Sequence, residues 1–326
     1  MNGIEEAFRR FPDMTDLGAR IAFSGGKDSI ALAFALRAMG HVSELRAIDM
    51  GYSSEWRGRI ESIARALSLP LEIVTVAALA EDDSIDLAAR SDLALRRAFL
   101  NGPGVDAPTV TPCTNCYNCK IISLVHAKGS VAPTIFFAHH VQDALSSFIK
   151  SAIMHIDRWE DGHLVFDRNA FRRVGARVAD ELRSGRHATV DQLASLLAER
   201  QANTSEPPIE RRTLHNRTYM IARPLFFVDE AATTALAKAS GAQPESSGCG
   251  HTTAAATRTP REIVHHELIP RISETASGRD TLRALLDLLA ASLSADGSAS
   301  FDSRGSRHLV LGPDYKGSPA DLADRV

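Results

Sequence analysis

Of the 326 residues only four are cysteine and 6% are aromatic, and the formal net charge is just −3. Four cysteines are too few for a disulfide scaffold. A near-balanced charge excludes a global basic field of the kind that binds nucleic acid nonspecifically, although a local patch remains open. No apolar run approaches the roughly 18 residues of a membrane span, so no membrane partner is expected. Met1 to Phe11 carries Glu5, Glu6, Arg9 and Arg10 and no apolar core, which does not read as a secretory signal. The expected location is the cytoplasm, where the cysteines are thiols or metal ligands. There is no internal repeat, and the Walker A pattern Gly-x4-Gly-Lys-Ser is missing.

What is present reads as a globular α/β protein, 44% hydrophobic and 24% charged. The first half alternates short apolar runs with helical periodicity. Strands are expected at 19–24, 45–48, 71–76 and 134–137, and helices at 28–39, 56–67 and 143–154. Such alternation implies a parallel sheet covered on both faces, with ligands at the C-terminal strand ends. Residues 219–225 return to strand character and 230–240 to helix. Thr259-Pro260-Arg261-Glu262 is a capping box opening a helix through about Ile272, and 282–293 is another helix. Thr189 to Arg200 reads as a surface helix, and 292–306 as a linker rich in Ser, Ala, Gly and Asp.

The sharpest signal is Ser24-Gly25-Gly26-Lys27-Asp28-Ser29, between a strand and a helix. Glycines allow the backbone close to a phosphate. Successive N–H groups, the hydroxyls of Ser24 and Ser29 and the helix N-terminus supply donors. Lys27 adds positive charge, and Asp28 suits Mg²⁺ on a pyrophosphate. A second signal is Cys113-Thr114-Asn115-Cys116-Tyr117-Asn118-Cys119, with Cys249 far downstream. Either C-x2-C pair suits one metal site, and a zinc staple or a loop of unliganded thiols has the same pattern.

The Ser-Gly-Gly-Lys-Asp-Ser run resembles the PP-loop ATP pyrophosphatases, which split ATP between the α and β phosphates. The resemblance implies an adenine-nucleotide α-hydrolase fold with five parallel strands, here with a mainly helical insertion and a helical C-terminal region. It implies ATP and Mg²⁺, an adenylated intermediate, and Asp49 and Met50 near the adenosine at the second strand's end. With C-x2-C, then Ala138-His139-His140-Val141-Gln142-Asp143, Arg223-Pro224-Leu225 and Cys249-Gly250, the chain is similar to the iron–sulfur tRNA 2-thiocytidine and 2-thiouridine synthetases. Carried over, Cys113, Cys116 and Cys249 hold a 4Fe–4S cluster whose fourth iron is open. Cys119 is then a spare, a resolving thiol or an alternative ligand. Lys120, four residues after Cys116, matches a functional lysine of the thiouridine branch. Ala138 and Gln142 depart from the family pattern Gly-His-His-x-Asp-Asp and leave Asp143 as the remaining acid. His139 is a nucleotide contact or a core histidine, and Arg223 faces phosphate or holds the fold.

The expected activity is ATP-dependent sulfur transfer. A nucleobase carbonyl is adenylated and its oxygen replaced by sulfur from a sulfide or persulfide donor. The candidate catalytic groups are Lys27, Asp28, Lys120 and Asp143. The substrate is tRNA or a small nucleobase-like molecule, the latter as in thioguanine-type biosynthesis. Arg168, Arg172, Arg173 and Arg177, with Arg211, Arg212 and Arg217, form an RNA-binding face or a merely solvated one. The basic N-terminal arm and zinc ribbon of some tRNA-thiolating relatives are missing. An amide-forming PP-loop ligase and a nucleotide-binding module without catalysis are the other readings, and a homodimer is compatible with the sequence. The expected organisation is a nucleotide-binding core at 1–154 and an insertion at 155–218, lid or RNA platform. A return to the core at 219–250, helices at 251–293 and a loose tail at 294–326 complete it.

Overall fold

The computed structural model describes residues 2–14, 19–41, 43–50, 54–85, 87, 89–91, 93–94, 119–125, 134–156, 168–185, 208–214, 217–245 and 260–291. Six strands form one sheet: β1 (Ala19–Ala22), β2 (Ser43–Asp49), β3 (Leu71–Thr75), β4 (Thr134–Phe136), β5 (Ile209–Leu214) and β6 (Arg217–Ala222). Their order is β3-β2-β1-β4-β6-β5. Every pairing is parallel except β5 with β6. The five parallel strands match the sequence expectation, and β5 adds an antiparallel edge inside the stretch expected to be mainly helical. Its Ile-Glu-Arg-Arg-Thr-Leu sequence suits an edge, where charge discourages further pairing.

The helices are α1 (Asn2–Arg10), α2 (Lys27–Ala38), α3 (Ser54–Leu67), α4 (Val76–Ala80), α5 (Val141–Ile156), α6 (Arg168–Arg183) and α7 (Glu230–Ala239). A continuous helical run follows: α8 (Pro260–Ile263), a π-turn (Val264–Leu268) and α9 (Ile269–Ser273), then α10 (Ala276–Ala291). Pro270 explains the π-turn: it has no N–H for the carbonyl four residues back, and its ring crowds that carbonyl. Residues 119–125 are also helical. On one sheet face, α1, α2 and α3 bury Ile4, Ile30, Leu32, Leu36, Trp56 and Ile60. On the other, Ile121, Leu124 and Val125 meet Ile48, Ile135 and Phe137. A third core joins α5, α6 and the C-terminal helices through Phe148, Val178, Ile272 and Leu285.

The chain leaves β1 through α2 toward β2 and returns on the opposite side at β4, so the strand order reverses between β1 and β4. In an open parallel sheet the carboxyl ends at that reversal form a crevice, because the following loops diverge to opposite faces.

The arginines of α6 are not all free for a ligand. Phe171, Val174, Val178 and Leu182 point into the third core, and Arg172 makes a two-pronged bond to Glu267 at 2.9 and 3.0 Å. Arg173 and Arg177 are exposed. The side chains of Arg168, Arg211, Arg212 and Arg217 and the predicted helix at 189–200 lie outside the described residues.

Candidate functional site

The crevice holds a cavity of about 400 Å³. Phe23, Ser24, Gly26, Asp28 and Ser29 come to it from β1 and the start of α2; Phe137, Ala138, His139 and Asp143 come from β4 and α5. Ile48, Trp56, Lys120, Leu124, Glu245 and Arg261 complete much of the wall.

Gly25 has φ +77°, and a Cβ there would meet Ile60 Cδ1 at 2.3 Å, so only glycine fits this turn. Its carbonyl accepts from the Glu245 N–H at 2.8 Å. Gly26 is the N-cap of α2, and its own N–H donates to Ser24 Oγ at 3.3 Å. Ser29 Oγ donates to the Gly26 carbonyl at 2.9 Å and stands 3.3 Å from Ser24 Oγ. The turn is thereby braced by its own hydroxyls. It presents the N-terminus of a 12-residue helix to the cavity, a favourable seat for an anion.

Asp28, His140 and Asp143 converge beside the turn, each offering a ligand atom within 4.8 Å of the others'. His140 Nε2 lies 3.8 Å from Asp28 Oδ1 and 3.7 Å from Asp143 Oδ2. Asp28 Oδ1 is buried with no hydrogen-bond partner. Burial raises the Asp28 pKa; His140 and Lys27 oppose that and Asp143 reinforces it. A buried carboxylate oxygen lacking a donor, beside a second carboxylate and an imidazole, fits a divalent cation. Asp143 is more committed. Its Oδ2 accepts from the His140 N–H at 3.2 Å, the reaching-back contact of a helix N-terminus, and its Oδ1 accepts from Arg261 at 3.0 Å.

The remaining predicted residues are spread around this centre. Lys120 and His139 are on the cavity wall. Asp49 and Met50 follow Ile48 at the end of β2 but are not among the lining residues; Asp49 lies 3.7 Å from Arg57. Lys27 bonds Glu230 at 2.9 Å. Arg223 is fully buried, donates to Glu210 at 3.1 Å and to His139 Nδ1 at 3.4 Å. It thus braces the ends of β5 and β6 and the His139 ring. Cys119 is fully buried at the start of the helical segment 119–125, while Cys113, Cys116 and Cys249 lie outside the described residues.

Sequence reasoning passed over Arg46, Trp56, His140, Glu245 and Arg261. Arg46 carries a signal in retrospect: it interrupts the apolar run of β2 and is 1% exposed, bonded to Glu72 and near the Leu124 carbonyl. Gln142, which stands where the family has an acid, serves the fold. Its Oε1 accepts the Glu230 N–H at 3.0 Å, satisfying an otherwise orphaned donor at the start of α7.

No protein-family model matches the chain, and no curated protein sequence does. Among solved structures it is similar to the U34-tRNA thiolase NcsA from Methanococcus maripaludis with its 4Fe-4S cluster. The match is at 14% identity, spans 88% of this chain and 80% of that one, and has a TM-score of 0.47. A likeness this low fixes neither family nor activity. No helix among the described residues is long and apolar enough to cross a membrane.

Proposed function

We propose that the protein is an ATP-dependent sulfurtransferase that adenylates a nucleobase carbonyl and replaces its oxygen with sulfur, releasing AMP and pyrophosphate. The observation that carries this reading is the Ser24–Ser29 turn at the strand-order reversal, beside the buried Asp28 oxygen that accepts no hydrogen bond. Backbone N–H groups of the turn and the Ser24 and Ser29 hydroxyls would hold the β and γ phosphates. The carboxylates of Asp28 and Asp143 would hold Mg²⁺, with His140 orienting both, and the ion would offset charge on the departing pyrophosphate. The substrate carbonyl oxygen attacks the α-phosphorus, and the bond to the pyrophosphate oxygen breaks. Sulfide then adds at the activated carbon, and AMP leaves with the former carbonyl oxygen. Arg261 and Lys120 face the space where those charges develop, and the apolar walls from Ile48, Trp56, Leu124 and Phe137 limit water.

The cysteines support the sulfur half of the reading by reach. Cys116 precedes the cavity residue Lys120 by four positions, and Cys249 follows the cavity residue Glu245 by four. Four residues of chain span at most about 14 Å, a reach that would allow both cysteines to approach the cavity wall. A cluster held by Cys113, Cys116 and Cys249 would supply sulfide on its fourth iron.

A small nucleobase-like substrate is the second reading, favoured by the engagement of Arg172 with Glu267, which removes one cation from the proposed RNA face. Incubation with ATP, Mg²⁺, sulfide and either unmodified tRNA or a free nucleobase should yield AMP and pyrophosphate, and Asp28→Asn should abolish both. ADP and phosphate as products would refute the reading. Mass spectrometry of tRNA nucleosides and small metabolites, from cells with and without the protein, separates the two substrates.

A further inference from the structure

Lys27 belongs to the phosphate turn by sequence, yet it is not among the residues lining the cavity. Its ammonium donates to Glu230 Oε1 at 2.9 Å and stands 3.6 Å from Asp28 Oδ1. Glu230 is the first residue of α7, and its backbone N–H is held by Gln142 on α5. Its other carboxylate oxygen lies 3.3 Å from His265 Nε2, in the π-turn of the C-terminal helices. The His265 ring is also 5.9 Å from that of His140, which faces Asp28. A single carboxylate therefore ties the phosphate-turn lysine to the element that also supplies Arg261 to the cavity. The charges respond accordingly. Burial alone pulls the Lys27 pKa down, but the Glu230 bond and the nearby Asp28 outweigh it and leave it above the usual lysine value. The Lys27 bond in turn draws Glu230 below the ordinary carboxylate range, against burial.

We propose that Glu230 is a positioning residue that holds Lys27 off the cavity and releases it to the incoming triphosphate, with His265 steadying the carboxylate in the closed pair. The inference rests on the ATP-binding reading above. A triphosphate is the competing anion because the Lys27 backbone starts the helix whose N-terminus faces the cavity, so an ammonium swung from Glu230 reaches the same site. ATP binding then has to break the Lys27–Glu230 pair. Affinity is lower than the turn alone would give, and occupancy of the turn is communicated to the C-terminal helices through Glu230 and His265.

The test is a cycle of E230Q, K27M and the double variant, with equilibrium binding of the α,β-methylene analogue of ATP and steady-state pyrophosphate release. Partly exposed, hydrogen-bonded ion pairs of this kind lead to an expected tightening of about fivefold in E230Q, seen in KM without an equal rise in kcat. A carboxylate that merely repelled the nucleotide would give the same tightening whether or not Lys27 is present. Release of Lys27 instead makes K27M cost more affinity in the E230Q background than in the parent. Equal K27M penalties, or weaker binding by E230Q while AMP and pyrophosphate still form, would overturn this inference and leave the proposed function standing. Absence of nucleotide binding by the parent would overturn both. Should E230Q fail to fold, H265Q loosens the same carboxylate without touching Lys27; it should tighten binding in the same direction, and unchanged affinity would count against the release.

Discussion

Replacing Arg223 with Met decides whether this residue serves the nucleotide or the fold. The Arg223 side chain is 0% exposed and that of Glu210 2%, with 3.1 Å between Nη2 and Oε2. Removing the guanidinium leaves a desolvated carboxylate between β5 and the end of β6, and breaking one half of a buried pair costs about 3–5 kcal/mol. Even if part of that is recovered by water reaching the sheet edge, melting should fall by roughly 10 °C. Replacing both partners, as in Arg223→Met with Glu210→Leu, removes the stranded charge and should recover all but about 1 kcal/mol. Urea and thermal unfolding of the parent, both single variants and the double variant measure this directly, with ATP binding followed in parallel. Arg223→Met that melts like the parent but no longer binds ATP would refute the argument and put the guanidinium on the phosphates. The His139 contact at 3.4 Å predicts a smaller, separate loss of affinity that persists in the double variant.

Asp28→Asn should stabilise the protein while abolishing pyrophosphate release. Because the folded pKa of Asp28 lies above 3.8, its contribution to stability is complete below that value and is lost as pH rises through the raised one. The advantage of the amide should therefore grow from about pH 4 upward, and pH-dependent denaturation curves check the sign. Gly25→Ala combines a positive φ with the 2.3 Å approach to Ile60 and should cost about 2 kcal/mol. Ile60→Val should relieve the crowding and not the φ, recovering only part of the melting temperature. Trp56 lines the cavity, so ATP should change tryptophan emission in the parent, and Trp56→Phe should lose the part of that change that Trp56 supplies. Iron analysis after anaerobic reconstitution should show loss of metal in Cys113→Ala, Cys116→Ala and Cys249→Ala and its retention in Cys119→Ala; stoichiometric zinc instead would mark a structural site.

Local chemistry already in the sequence determined the parallel sheet and the phosphate turn. Short apolar runs that alternate with helical patterns are satisfied as buried parallel strands, and Gly25-Gly26 between such a run and a helical pattern closes as a tight turn at a helix N-terminus. Asp28, Ser29 and Asp143 were legible as site residues because each sits at a helix start, where backbone geometry aims the side chain. The roles of the isolated charges were decided by tertiary structure. Arg223 and Arg172 look alike in a linear reading. One is sealed against Glu210 across a strand pair and the other bridges α6 to the π-turn at Glu267, 95 residues away. Arg261 reaches Asp143 across 118 residues, and Lys27 meets Glu230 across 203. Local propensity carries no term for such pairs. They arise when the sheet's strand-order reversal brings the starts of α2, α5, α7 and α8 to one end of the fold, where Coulomb energy and burial choose among the available partners.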